Sequence, residues 1–178
     1  MDDRSNAQTL GGRQIVECLD REFARLHAKS CAVMEKTPVA ALYAVPAQAE
    51  LGSLDTTLNP LASVGESVLR SAAAIEQTFG GITSNLWDDP FEWTLPEYLS
   101  TPGRVNEHLA DVEATRQRAF RSFADDACLV MRVAVPSGGT RLLIDLLLET
   151  LLRATDYQAR ALFALRILSG NSRPGFII

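Results

Sequence analysis

The segment Thr140–Gly170, TRLLIDLLLETLLRATDYQARALFALRILSG, decides the fold. Leu143, Leu147, Thr150, Ala154, Tyr157, Ala161, Ala164 and Leu168 recur at the three-and-four spacing of one helical face. No Gly or Pro interrupts the run before Gly170, so the spacing predicts one long helix over 140–169. Asp145, Glu149 and Arg153 break its apolar character, which excludes a membrane-spanning segment of about 18 uncharged residues.

Three further segments read the same way between clusters of Pro and Gly. Pro102 sits in a first-turn position, and Val105, Leu109, Val112, Ala119 and Phe123 predict a helix over 102–123. Ser63 and Glu66 form an S-x-x-E capping box ahead of Val64, Val68, Ala72, Ile75 and Phe79; this predicts a helix over 63–79, stopped by Gly80-Gly81. Ile15, Val16, Leu19, Phe23, Leu26, Val33 and Met34 predict a helix over 9–36, ended by Pro38. A short extended piece at Leu129–Val135 is the sole strand candidate.

Four amphipathic helices can bury their stripes only against one another, so the class is all-α and the architecture a four-helix bundle. About 25 residues separate the first pair and about 20 the second, lengths that permit crossovers other than simple up-and-down hairpins. A chain of 178 residues is one domain, 1–178, with enough length for one core.

The composition narrows the function. The net charge of −5 and the absence of any basic block exclude a phosphate-backbone binder. The polar, acidic start Met-Asp-Asp-Arg-Ser-Asn has no apolar signal region. Cys18, Cys31 and Cys128 are odd in number and lack C-x-x-C spacing, which fits free thiols in a cytoplasmic protein. Only two histidines are present, His27 and His108, too few for most metal or nucleophile-and-base sites.

Ser63–Arg70, SVGESVLR, resembles the second-helix signature of the DinB-like bundle proteins, roughly S-[IV]-[GA]-E-x-[IVL]-x-H. Tyr157-Gln158-Ala159-Arg160 and Ala164–Leu168 resemble that family's H-R-G-Q segment and its closing L-L-R-L-L. The resemblance covers about two-thirds of the chain, mainly from Ser63 onward. It implies an often dimeric four-helix bundle with a divalent metal held by a second-helix His and an H-x-x-x-H pair on the fourth helix. Thiol-dependent transferases and isomerases are among the family's roles. In this chain Arg70, Arg153 and Tyr157 occupy the three ligand positions. A protonated guanidinium has no lone pair for a metal, and one Tyr is a poor substitute for imidazole, so no metal and no cofactor are expected.

Those replacements become the candidate ligand-binding residues, with Arg116 as a fourth. Tyr157 falls mid-stripe and is expected to face inward, either as a core tyrosine or as a pocket donor. Arg153 pairs with Glu149 one turn earlier or enters the pocket. Arg70 is solvated by periodicity and inward by resemblance, and the small residues Ser67, Ser71, Ala73 and Ala74 favour the pocket. Arg116 lies mid-stripe on the third helix and needs a carboxylate, with Glu22 and Glu149 as candidates, or a snorkelling path to solvent. Converging guanidiniums would suit a carboxylate or phosphate.

The aromatic and acidic segment Asn85–Glu97 reads as a lid or a partner contact. Asp88, Asp89 and Glu92 have no EF-hand spacing. The apolar tail Arg173–Ile178 is expected to pack on its own bundle or on a twin subunit. The resulting expectation is a cytoplasmic DinB-like homodimer that binds a small anion. The alternative is a metal-independent, thiol-dependent transferase or isomerase acting on a small acidic substrate.

Overall fold

The structure, a computed structural model, describes residues 12–46, 62–93 and 97–170, with Glu92 and Trp93 described in backbone only. It is an all-α four-helix bundle: α1 Gln14–Glu35, α2 Val64–Ser84, α3 Pro102–Ser122 and α4 Leu143–Leu168. A two-stranded antiparallel hairpin, β1 Arg132–Ala134 and β2 Thr140–Leu142, pairs Val133 with Arg141 ahead of α4. Thus Thr140–Leu142, expected to open the fourth helix, is strand, and the extended piece expected at 129–135 is a 3-10 turn at Asp126–Val130 followed by β1. Residues 9–11 of the expected first helix and the tail Arg173–Ile178 lie outside the described residues. Among the described residues, no helix is long and apolar enough to cross a membrane.

Each helix end has a local cause. The Ser63 hydroxyl accepts from the Glu66 amide at 3.1 Å, as the capping box requires, and Thr101 caps α3 in the same way through Arg104. By contrast, α2 does not stop at Gly80-Gly81 but continues to Ser84 and ends on Asn85 in the left-handed conformation at φ 54°. The glycines serve packing instead. A Cβ on Gly81 would lie 2.3 Å from Cδ2 of Trp87, so the bare glycine is where the following loop's indole rests on the helix.

Two helices cap one another across the bundle. The Asp126 carboxylate, after α3, accepts from the amides of Ile15 at 3.0 Å and Val16 at 2.9 Å, at the start of α1. In return, Arg13 donates to the carbonyls of Phe120, at 3.2 Å, and Phe123 at the end of α3. Both charges have the sign that the helix dipoles favour.

The contacts fix the directions. Asp126 and Arg13 tie the start of α1 to the end of α3, so these helices are antiparallel. Ser71 bonds Ala154 while Thr78 bonds Thr150, so α2 and α4 are antiparallel too. The Asp126 amide donates to the Gly12 carbonyl at 3.0 Å, just before α1, and the Leu143 amide, at the start of α4, donates to the Met131 carbonyl at 2.9 Å. The turn at Asp126–Val130 thus places the N-termini of α1 and α4 together and makes them parallel. The resulting order is up-down-down-up, with α2 and α3 parallel neighbours. The connection from Asn85 to Thr101 must therefore run the length of the bundle. It spans roughly 55 Å if extended, against roughly 32 Å for a helix of α2's length. The core centres on Phe23, Phe79 and Phe120, with ring centroids 5.3 to 5.8 Å apart, contributed by three different helices.

A candidate anion recess on the α2/α4 seam

Helices α2 and α4 pack closely because their facing residues are small: Ser67, Ser71, Ala74 and Thr78 on one side, Thr150, Ala154 and Ala161 on the other, all buried. The Ser71 hydroxyl donates to the Ala154 carbonyl at 2.9 Å. On the flank of this seam, Ala73 and Ala74 leave a hollow of about 40 Å³, rimmed by Arg70, Gln77, Arg153 and Tyr157 and closed by Asp89 and Phe91. Arg70, Arg153 and Tyr157 thus share one recess. It lies beside the seam rather than in the bundle interior, with Arg153 and Asp89 exposed and Arg70 and Tyr157 half-buried.

Each cation is held by its own neighbours. Arg70 donates through Nε to Glu66 at 3.0 Å, and its guanidinium carbon sits 4.0 Å from the centre of the Phe91 ring. Arg153 donates to Gln77 Oε1 at 3.0 Å and to the Ala74 carbonyl at 3.5 Å. Gln77 in turn donates to the Trp87 carbonyl at 2.9 Å, so one amide side chain links Arg153 to the loop. Asp89 accepts from the Phe91 amide at 3.0 Å and forms no ion pair with either guanidinium. Two guanidiniums and the two carboxylates of Glu66 and Asp89 leave the recess with zero formal charge. Several guanidinium N–H groups and the Tyr157 hydroxyl have no protein partner among the described residues and remain available as donors.

Three sequence expectations change here. Tyr157 is half-buried rather than mid-core; Gln158 is buried in its place and donates to the Leu26 carbonyl at 2.8 Å and to Ser30 at 3.1 Å. The shift arises because α4 is apolar on more than one face, which blurs the phase of its stripe. Arg153 does not pair with Glu149, which binds Arg141 at 2.6 Å instead, since the hairpin ahead of α4 brings that cation over the first turns. Arg116 lies apart from the recess, in the α1/α3 seam. It is 3% exposed and bonds Glu113 at 2.6 Å and Asp20, not Glu22 or Glu149, so it neither snorkels nor joins the other arginines. Burial acts to lower its pKa, but the hydrogen bonds and charges of Glu113 and Asp20 outweigh this and raise it.

A larger cleft of about 910 Å³ opens between the C-terminal ends of α2 and α3, lined in part by Glu76, Gln77, Leu86, Arg118, Cys128 and Met131. Periodicity gave no sign of it, because it depends on the crossover loop. Asp88 and Pro90 face this cleft while Asp89 and Phe91 face the recess, so one loop segment, entering a 3-10 turn at Pro90–Trp93, walls off two cavities. Burial, with Asp125 adding to it, pushes the Cys128 thiol up, and burial with Glu35 does the same for Cys31; both stay protonated at neutral pH. His27 and His108 sit on α1 and α3, the latter 4.0 Å from Glu76. Among the described residues, no group of three His, Cys, Asp or Glu side chains could hold a metal. Family models, curated proteins and solved structures were all compared with this chain, and none of them matches it.

Proposed function

We propose that the protein is a DinB-like bundle without the family's metal triad, working as a homodimer in the cytoplasm and binding a small anion. The single observation that carries this reading is that Arg70, Arg153 and Tyr157 line one recess. Paired guanidiniums and a phenol offer a fork of donors that matches a carboxylate or phosphate. The hollow, near the volume of one water, admits an acidic group of a ligand rather than a whole metabolite. The ligand's body would then lie over the loop at Asp88–Phe91. The three free cysteines suit a reducing compartment.

Thermal-shift titration with acetate, malonate and inorganic phosphate tests the binding. The wild type is expected to gain a few degrees with at least one anion, and Arg153→Gln and Tyr157→Phe to lose most of that gain. No stabilisation by any anion, or equal stabilisation in both variants, overturns the reading. Protein purified without chelator should contain no stoichiometric divalent ion; one ion per chain, lost in Tyr157→Phe, would restore a metal centre.

A further inference from the structure

Helix α4 carries a second apolar face, turned away from the core. Leu148, Leu152, Thr155, Ala159, Leu162 and Arg166 follow one another at spacings of four and three, the 3.5-residue repeat of a helix seam, and all are exposed. Leu152 is 71% exposed, Leu148 44%, and Phe163, beside Leu162, 41%. A stripe of this kind on a helix already anchored by its other face marks an interaction surface.

The stripe is complementary to itself. Laid antiparallel against a second copy about a two-fold axis next to Thr155, Leu152 of one copy meets Ala159 of the other, a large residue over a small one. Leu148 meets Phe163 in the same register, and each contact occurs twice, as an isologous interface requires. The same register brings Asp145 of one copy to Arg166 of the other. Both are exposed and unpaired within the chain among the described residues, whereas nearby Glu149, Asp156 and Arg160 already have partners at 2.6 Å. The two free charges lie 21 positions apart on the helix, about 32 Å, so no contact within one copy can join them.

We propose that α4 is the homodimer interface: two copies pack α4 against α4 antiparallel, with Leu152 seated over Ala159 and Asp145 paired to Arg166 at both ends. This rests on the homodimer reading above and adds the surface that forms it.

Sedimentation of the full chain over a concentration series tests it. Leu152→Glu is expected to weaken dimerisation at least tenfold while circular dichroism stays unchanged. Asp145→Arg and Arg166→Asp should each weaken it several-fold, and the double charge swap should restore it. In a Cys18→Ser background, Thr155→Cys should give a disulfide-linked dimer on mild oxidation. A wild-type dimer that survives Leu152→Glu and does not cross-link through Thr155→Cys overturns this interface but leaves the homodimer standing. A monomeric wild type at all concentrations overturns both. If such a monomer dimerises once the chain is cut after Gly170, the stripe belongs to the chain's own C-terminal segment.

Discussion

Thr78 on α2 and Thr150 on α4 place their hydroxyl oxygens 2.6 Å apart in the middle of the seam that joins these helices. Thr150 also donates to the Leu146 carbonyl at 2.7 Å, which spends its only hydrogen. Thr78 must therefore be the donor across the seam, and the pair is asymmetric. Thr150→Val strands the buried Thr78 donor and is expected to cost about 1–3 kcal/mol, whereas Thr78→Val leaves Thr150 its helical bond and should cost about 1 kcal/mol. Urea unfolding of the two variants checks the order; equal losses would count against this assignment of the proton.

Asp126 substitutes for an N-cap that the sequence next to α1 does not provide, since Arg13 makes no side-chain cap there. Asp126→Ala is expected to destabilise by about 1–2 kcal/mol, the usual worth of a good cap. Amide exchange should rise first at Ile15 and Val16. Unchanged protection at those two amides would contradict the role.

The Arg116 cluster makes stability depend on acid. Burial works to raise the Glu113 pKa, but hydrogen bonds from Arg116 and Gln117, together with the Arg116 charge, prevail and lower it. A carboxylate with a depressed folded pKa stabilises above its unfolded value, about 4.3, and loses that contribution as pH falls through the folded value. The wild type should thus lose stability below about pH 4.3 more steeply than Glu113→Gln, compared by urea midpoints at pH 3 to 7. Arg116→Met at pH 7 should cost about 3 kcal/mol, because Glu113 is left half-buried without its cation.

Gly81 marks the contact between the crossover loop and α2. Gly81→Ala is expected to displace the Trp87 ring, with a loss of about 1–3 kcal/mol from overpacking. Tryptophan fluorescence should shift to the red as the indole is released. An unshifted spectrum at full stability would show that the loop tolerates a methyl group there.

The helices and their class were legible because their causes are local. Periodic apolar residues, the Ser63 cap, Pro102 in the first turn and Pro38 after α1 act within a few residues of the bonds they determine. Gly80-Gly81 misled for the opposite reason: a glycine pair reads as a stop, yet here it admits an indole from a loop that only the packed bundle brings close. Tyr157 misled because α4 is apolar on two faces, and the number of faces a helix buries is set by its neighbours.

By itself, the sequence determined four helices packed in one bundle and a chain with only two histidines, all properties of neighbouring residues or of composition. Only the tertiary structure decided which charge meets which. Arg153 finds Gln77, Arg116 finds Asp20 across 96 residues of chain, and Arg70 stacks on Phe91, while Asp145 and Arg166 find nothing among the described residues. Such pairings depend on the rotation of each helix about its axis and on which helices lie side by side. Both follow from close packing of the whole core, and no local stretch of sequence encodes them.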